Sequence, residues 1–218
     1  MNCTNYPTNS GRGALLKPMP LPYDFCALEP CISEQVLTVH YRCHYLRYAE
    51  RLNDALKGYP NYWNESLCRL LADPAKIPSD VRTAVINNGG GVLNHQYYFS
   101  SMTPCGGEIP SPLKQKIQSA FTSVEKFLKC FHEAGMSVLG SGYAALVLEK
   151  TGRLKIITFG GQETDYLSCC MPLIVCDVWE HAYYLQYHSD RESYLKAFEK
   201  LINWEWAASQ LERCFGCF

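Results

Sequence analysis

Asp177-Val178-Trp179-Glu180-His181-Ala182-Tyr183-Tyr184-Leu185-Gln186-Tyr187 is the stretch on which the reading of the whole chain turns. Asp177 and His181 stand four residues apart and can aim a carboxylate oxygen and an imidazole nitrogen at one point. Such a pair suits a divalent or trivalent transition metal of intermediate hardness. Alone it is a weak signal, because many helices carry Asp and His at that spacing. Two further histidines, His40 and His95, stand in equally specific settings and complete a three-His, one-Asp set. Each has a plainer alternative: a lone His on an apolar helix face is usually a hydrogen-bonded core residue, and Asp177 could cap a helix.

Outward from His40, the chain from Ser33 to about Lys57 carries no Gly or Pro, and Val36, Leu37, Leu46, Leu52 and Leu56 recur at helical spacing. Ser33 is the predicted N-cap and Gly58 the predicted stop. His40, His44 and Tyr48 then fall on one face. A second helix is predicted over about Ser79 to Met102, interrupted by Gly89-Gly90-Gly91. Each Gly costs a helix about 1 kcal/mol relative to Ala, so the triplet implies an irregularity or another element pressed against the backbone. Two antiparallel helices with His40 and His95 inward would make half of a metal site.

Pro104 to Pro112 is rich in Pro and Gly and marks a boundary. A helix from about Leu113 to Ala134 follows, then β-like runs at Ser137 to Glu149, Leu154 to Phe159 and Leu173 to Cys176. A helix from about Arg191 to Arg213 closes the chain. The expected class is α+β: an N-terminal antiparallel helical hairpin, then a C-terminal domain with a small three-stranded antiparallel sheet flanked by helices. The expected divisions are an extension over 1–20, the hairpin domain over 21–104 and the α/β domain over 105–218. Pro7, Gly11, Gly13, Pro18 and Pro20 argue against a targeting helix in the extension. Asp177 falls just past the third strand, so the site would draw on both domains.

Composition narrows the class. The 218 residues suffice to bury a substantial core, and 20 Lys+Arg against 21 Asp+Glu give no basic surplus for nucleic acid. No apolar run approaches the ~20 residues of a membrane span. The 12 Cys lack the spacing of a disulfide framework and no secretory signal is seen, so reduced thiols in a cytoplasmic setting are expected. Cys214-Phe215-Gly216-Cys217 lacks a well-spaced second pair for a zinc knuckle and reads as small hydrophobes near a frayed end.

The string DVWEHAYYLQY resembles the C-terminal signature of the iron/manganese superoxide dismutases. LPYDFCALEPCIS (Leu21 to Ser33) resembles that family's opening segment, VHYRCHYLRYAERLN (Val39 to Asn53) its first metal-binding helix and NNGGGVLNHQYYF (Asn87 to Phe99) its second. YLKAFEKLINWEW (Tyr194 to Trp206) is similar to its closing helix, so the resemblance runs roughly from Leu21 to Trp206 in the family's order. It implies that His40, His95, Asp177 and His181 hold one metal ion per subunit and that superoxide is converted to dioxygen and hydrogen peroxide. By the same resemblance His44 and Tyr48 line the substrate entrance, Trp179 walls the pocket, and Gln162 hydrogen-bonds the metal-bound solvent. Glu180 is implied to reach the partner subunit's His181, and Tyr184 the partner's His44, in a homodimer or homotetramer. Gln162, together with Gly91 where iron-type enzymes usually carry the glutamine, favours manganese, with iron possible.

This chain also departs from the family pattern. Cys43 stands where the family usually has lysine; Phe99, Tyr143 and Ala145 stand where it usually has tryptophan. The smaller pocket wall bears on redox poise. Arg191 matches an entrance arginine and could steer the anion or be a solvated surface charge. Two rival classes are a dismutase-like scaffold with reduced or lost activity and another metal-dependent enzyme. A hydrolase would need an open coordination position and a general base, for which no carboxylate is placed.

Overall fold

The computed structural model describes residues 16–63 and 65–215; Cys217, and with it the C-terminal Cys pair, lies outside them. The first predicted helix forms and starts where expected, with the Ser33 hydroxyl accepting from the Val36 N–H at 3.3 Å. It is not one uniform helix. Helix α1 (Glu34–Val39) passes into a π-helical turn over His40–Tyr45 and then α2 (Leu46–Leu56). Wide turns of this kind are rare and concentrate at functional sites. The turn contains both His40 and His44. A short α3 (Leu67–Ala72) leads to α4 (Ser79–Ser100), which packs on α2 as the second arm of the hairpin.

Helix α4 carries the three glycines without a break, and the reason for them is close approach. A Cβ on Gly90 would collide with the Gln162 carbonyl oxygen, and one on Gly91 with the Tyr48 ring. Gly89 sits under Leu67 and Leu71 of α3. The glycine stripe therefore lets two other parts of the chain lie against the α4 backbone just before His95.

Two predicted long helices are each divided. The stretch after the Pro/Gly boundary forms α5 (Ser111–Phe121) and α6 (Val124–Ser137), separated where Thr122 adopts a φ of 76° and Ser123 caps the next helix through Lys126 N–H at 3.1 Å. Beyond the short α7 (Tyr184–Tyr187), the closing region forms α8 (Arg191–Leu201) and α9 (Trp204–Phe215). Ile202 leaves the helix to bridge Met102 at the end of α4, which ties the chain's last helices to the hairpin.

The sheet is antiparallel in the order β2-β1-β3, with β1 Gly142–Glu149, β2 Leu154–Gly160 and β3 Cys170–Asp177. Ser137 belongs to α6, so the first strand begins later than the sequence suggested; the third begins earlier and includes Asp177. Strand β1 is buried on both faces, which explains its unbroken apolar run. Ala144, Leu146 and Leu148 join the main core with Phe127 and Phe131 of α6. Tyr143, Ala145 and Val147 join a second cluster with Leu93 and Tyr97 of α4 and Leu71 of α3. That second cluster welds the sheet to the hairpin, and the candidate site lies along this seam.

Gly90→Ala should lower folding stability by about 2 kcal/mol, because the clash with backbone exceeds the gain in helix propensity. Gly58→Ala, with nothing within 4 Å of the new methyl group, should change it by less than about 0.5 kcal/mol. Thermal or urea unfolding of the two variants checks this; equal stabilities would mean the close approach at Gly90 does not constrain the helix.

Candidate metal centre

Four elements deliver the four residues. His40 opens the π turn, His95 lies in the second half of α4, and Asp177 ends β3. His181 follows on a 3-10 turn, Glu180–Ala182. Asp177 uses its two carboxylate oxygens differently. Its Oδ1 accepts from the Trp179 N–H at 2.8 Å and shapes the turn, while Oδ2 faces the histidines. Its backbone carbonyl accepts from the Tyr194 hydroxyl of α8 at 2.7 Å, fixing the strand end from behind.

Asp177 Oδ2 lies 3.2 Å from His40 Nε2, 3.6 Å from His181 Nε2 and 4.0 Å from His95 Nε2. All four ligand atoms lie within 4.8 Å of one another. None of the four has a hydrogen-bond partner among the described residues, although each is buried. A buried polar atom without a partner costs about 1–3 kcal/mol, so four converging on one point suit a cation that all of them can face. His95 shows how the lone pair is aimed: its Nδ1–H donates to the Gly91 carbonyl at 2.6 Å, leaving Nε2 bare toward the centre. The donor set, three imidazole nitrogens and one carboxylate, fits a borderline transition metal.

Electrostatics agree. Burial pushes the His40 imidazole down to about 4 and holds His95 well below the usual histidine range, so both present neutral lone pairs. Burial would raise the Asp177 carboxyl, but the imidazoles of His181 and His40 offset this and keep it below the ordinary carboxylate range. His44 is lowered to about 4 by burial and then by the charges of His181 and His40.

Around the four lies a hydrogen-bonded layer. Gln162 is buried, and its Nε2 donates to the Tyr48 hydroxyl at 3.3 Å. Its Oε1 accepts from the Tyr143 hydroxyl at 3.1 Å and from Asn94 Nδ2 at 3.2 Å. Tyr166 fixes Asn94 in turn, donating to its Oδ1 at 2.8 Å. The sequence identified Gln162 and Tyr48 but gave Asn94 and Tyr166 no role. Adjacency to His95 was the one hint for Asn94; nothing local marked Tyr166, which the sheet brings in from afar. The His44 ring stacks on His181 with centroids 3.9 Å apart, and Trp179 lies 5.4 Å from the His181 ring while donating to the Gly161 carbonyl at 3.2 Å.

Other expected residues stand elsewhere. Glu180 and Tyr184 are exposed, on the surface beside the site. Arg191 neither lines the entrance nor floats in solvent. Its Nη1 donates to the Val138 carbonyl at 2.6 Å, Nη2 to the Gly140 carbonyl at 3.0 Å and Nε to the Tyr183 hydroxyl at 3.2 Å. It clamps the loop before β1 onto the segment that carries His181.

Two family models match this chain in succession. Residues 17–103 match the iron/manganese superoxide dismutases, alpha-hairpin domain, and residues 110–210 match the iron/manganese superoxide dismutases, C-terminal domain. The chain belongs to the iron/manganese superoxide dismutase family. The four converging residues come from both matched regions, two from the hairpin and two from the C-terminal domain. Among the described residues, no helix is long and apolar enough to cross a membrane.

The metal-free protein should lose stability as pH falls from about 6.5 toward 4. In that window the unfolded chain binds protons on His40 and His95 that the folded chain refuses, so unfolding is favoured. Chemical denaturation of the apoprotein across this range checks it; a flat profile would mean the imidazoles are not held neutral. Asp177→Ala should abolish stoichiometric metal binding.

Proposed function

We propose that this protein is a superoxide dismutase using one manganese ion per subunit, with iron able to occupy the same ligands. The observation that carries the reading is the convergence of His40, His95, Asp177 and His181 within 4.8 Å, in a chain of this family. The metal, when bound, would supply one-electron oxidation of one superoxide to dioxygen and one-electron reduction of a second to hydrogen peroxide.

The chain's own groups would set the conditions for that exchange. Neutral Nε2 atoms and a single carboxylate would hold the ion and offset only part of its charge, leaving a net attraction for a small anion. The second superoxide leaves as hydrogen peroxide only after taking up two protons. Tyr48, bonded to Gln162 and lining the cavity that also exposes His44, stands where a proton can pass inward from solvent. The Gln162 amide is oriented by Tyr143 and Asn94 so that its Nε2 faces Tyr48, which would tune how readily that route gives up a proton. Gln162 reaching the site from the sheet side, over Gly90 and Gly91, supports manganese as the working metal.

We further propose a two-fold homodimer of a cytoplasmic protein, built from a hairpin domain over 21–104 and an α/β domain over 105–218. Glu180 and Tyr184 are both exposed, and among the described residues Glu180 makes no ion pair, so both side chains are available to a second subunit. Glu180 would orient the partner subunit's His181, and Tyr184 would meet the partner's His44.

Metal analysis with a superoxide-removal assay on the purified protein tests the main reading. Apoprotein reconstituted with manganese should outperform the iron form; the reverse order would overturn the manganese assignment, and a fully metallated but inactive protein would leave a dismutase-like scaffold. Gln162→Ala should keep most of its metal while turnover falls by roughly tenfold or more; unchanged turnover across pH would make Gln162 a bystander. Glu180→Ala should weaken dimerisation and metal retention together, read by sedimentation and metal content; an intact, fully metallated dimer would dismiss the shared site.

A further inference from the structure

A cavity of about 250 Å³ opens on the outer side of the site, lined by Cys43, His44, Arg47, Tyr48 and Arg51. Arg47 and Arg51 lie one turn apart on α2, and Cys43 lies one turn before Arg47. Both arginines are exposed, and among the described residues neither is held in an ion pair or hydrogen bond. Glu50 is their neighbour in sequence but does not line the cavity, and Asp54 is engaged by Lys57 at 2.8 Å. The mouth therefore carries two unneutralised positive charges next to Tyr48 and His44. Arg191, by contrast, is fastened to the loop before β1.

We propose that Arg47 and Arg51 are the residues that draw the anionic substrate into this mouth. The proposal rests on the dismutase reading. Two like charges at the rim of a cleft with low-dielectric walls raise the local concentration of a small anion and its association rate. They act before chemistry and touch neither the four ligands nor Gln162, so they are positioning residues that govern capture. Their influence is screened as ionic strength rises. The spacing suits the task, because residues four apart on a helix lie on one face.

The holoenzyme with Arg47→Gln and Arg51→Gln together should lose about three- to tenfold in kcat/KM for superoxide at low ionic strength. Its kcat and metal content should hold, and the gap from wild type should close at high salt. Cys43 supplies a second measurement that does not depend on turnover. Anionic and cationic methanethiosulfonate reagents of similar size are applied separately, and modification at Cys43 is followed by peptide mass. Wild type should favour the anionic reagent, and the double variant should lose that preference. An active wild type whose double variant keeps the same kcat/KM, salt dependence and reagent ratio overturns the steering role alone. A fully metallated wild type that removes no superoxide overturns the dismutase reading, and steering falls with it.

Discussion

A carboxylate oxygen faced by three imidazole nitrogens at 3.2 to 4.0 Å, all buried and none hydrogen-bonded, is an arrangement that a protein interior does not tolerate cheaply. Each such atom carries a desolvation cost of about 1–3 kcal/mol. The fold holds them there because their own chain segments are fixed from behind. Gly91 accepts from His95, the Trp179 N–H meets the other oxygen of Asp177, and Tyr194 grips the Asp177 carbonyl. The unmet demand of the four would couple the binding of an ion to the folded state.

That demand explains why the hairpin and the sheet meet where they do. Gln162 can reach Tyr48 only if the turn after β2 lies against α4, and the absence of side chains at Gly90 and Gly91 permits it. A stripe that weakens the helix in isolation therefore becomes the surface on which the two halves close. The second apolar cluster, with Leu93 and Tyr97 facing Tyr143 and Val147, seals the same seam. One candidate metal-binding residue thus sits between packing residues along α4: Leu93 and Tyr97 pack while His95 points to the centre.

Much of this was legible in the sequence, and what was not has physical reasons. The four converging residues could be picked out because strings such as NNGGGVLNHQYYF and DVWEHAYYLQY combine spacing with composition. The glycine triplet implied either a helix irregularity or a close approach; the helix is unbroken and the approach is what the structure shows. The π turn at His40–Tyr45 was invisible, since its residues keep helical periodicity and contain no breaker. The division at Thr122 was equally hidden: the apolar pattern resumes on the far side, and one residue with positive φ leaves no mark in it. Arg191, expected either at the entrance or as a solvated charge, is instead held by loop carbonyls, because a charge in sequence carries no record of which carbonyls it will find. Tyr166 and Asn94 meet across 72 residues, a distance that no local pattern spans.

The departures from the family pattern fall into two kinds. Tyr143 replaces an indole with a phenol, and each offers one donor to its surroundings. That donor is in use here, directed at Gln162 Oε1, so the exchange keeps the layer satisfied while altering its shape. Ala145, two residues along the same strand face, gives up volume instead, and it sits in a cluster with Tyr97 and the partly buried Trp206, whose rings are 6.2 Å apart. Phe99 gives up a donor but keeps an aromatic face, packed 5.3 Å from the His40 ring. Tyr143 thus keeps a hydrogen bond to Gln162, while Ala145 and Phe99 add only apolar surface to the neighbouring wall. Such a centre can change its access and its redox poise while its ligand set stays the same.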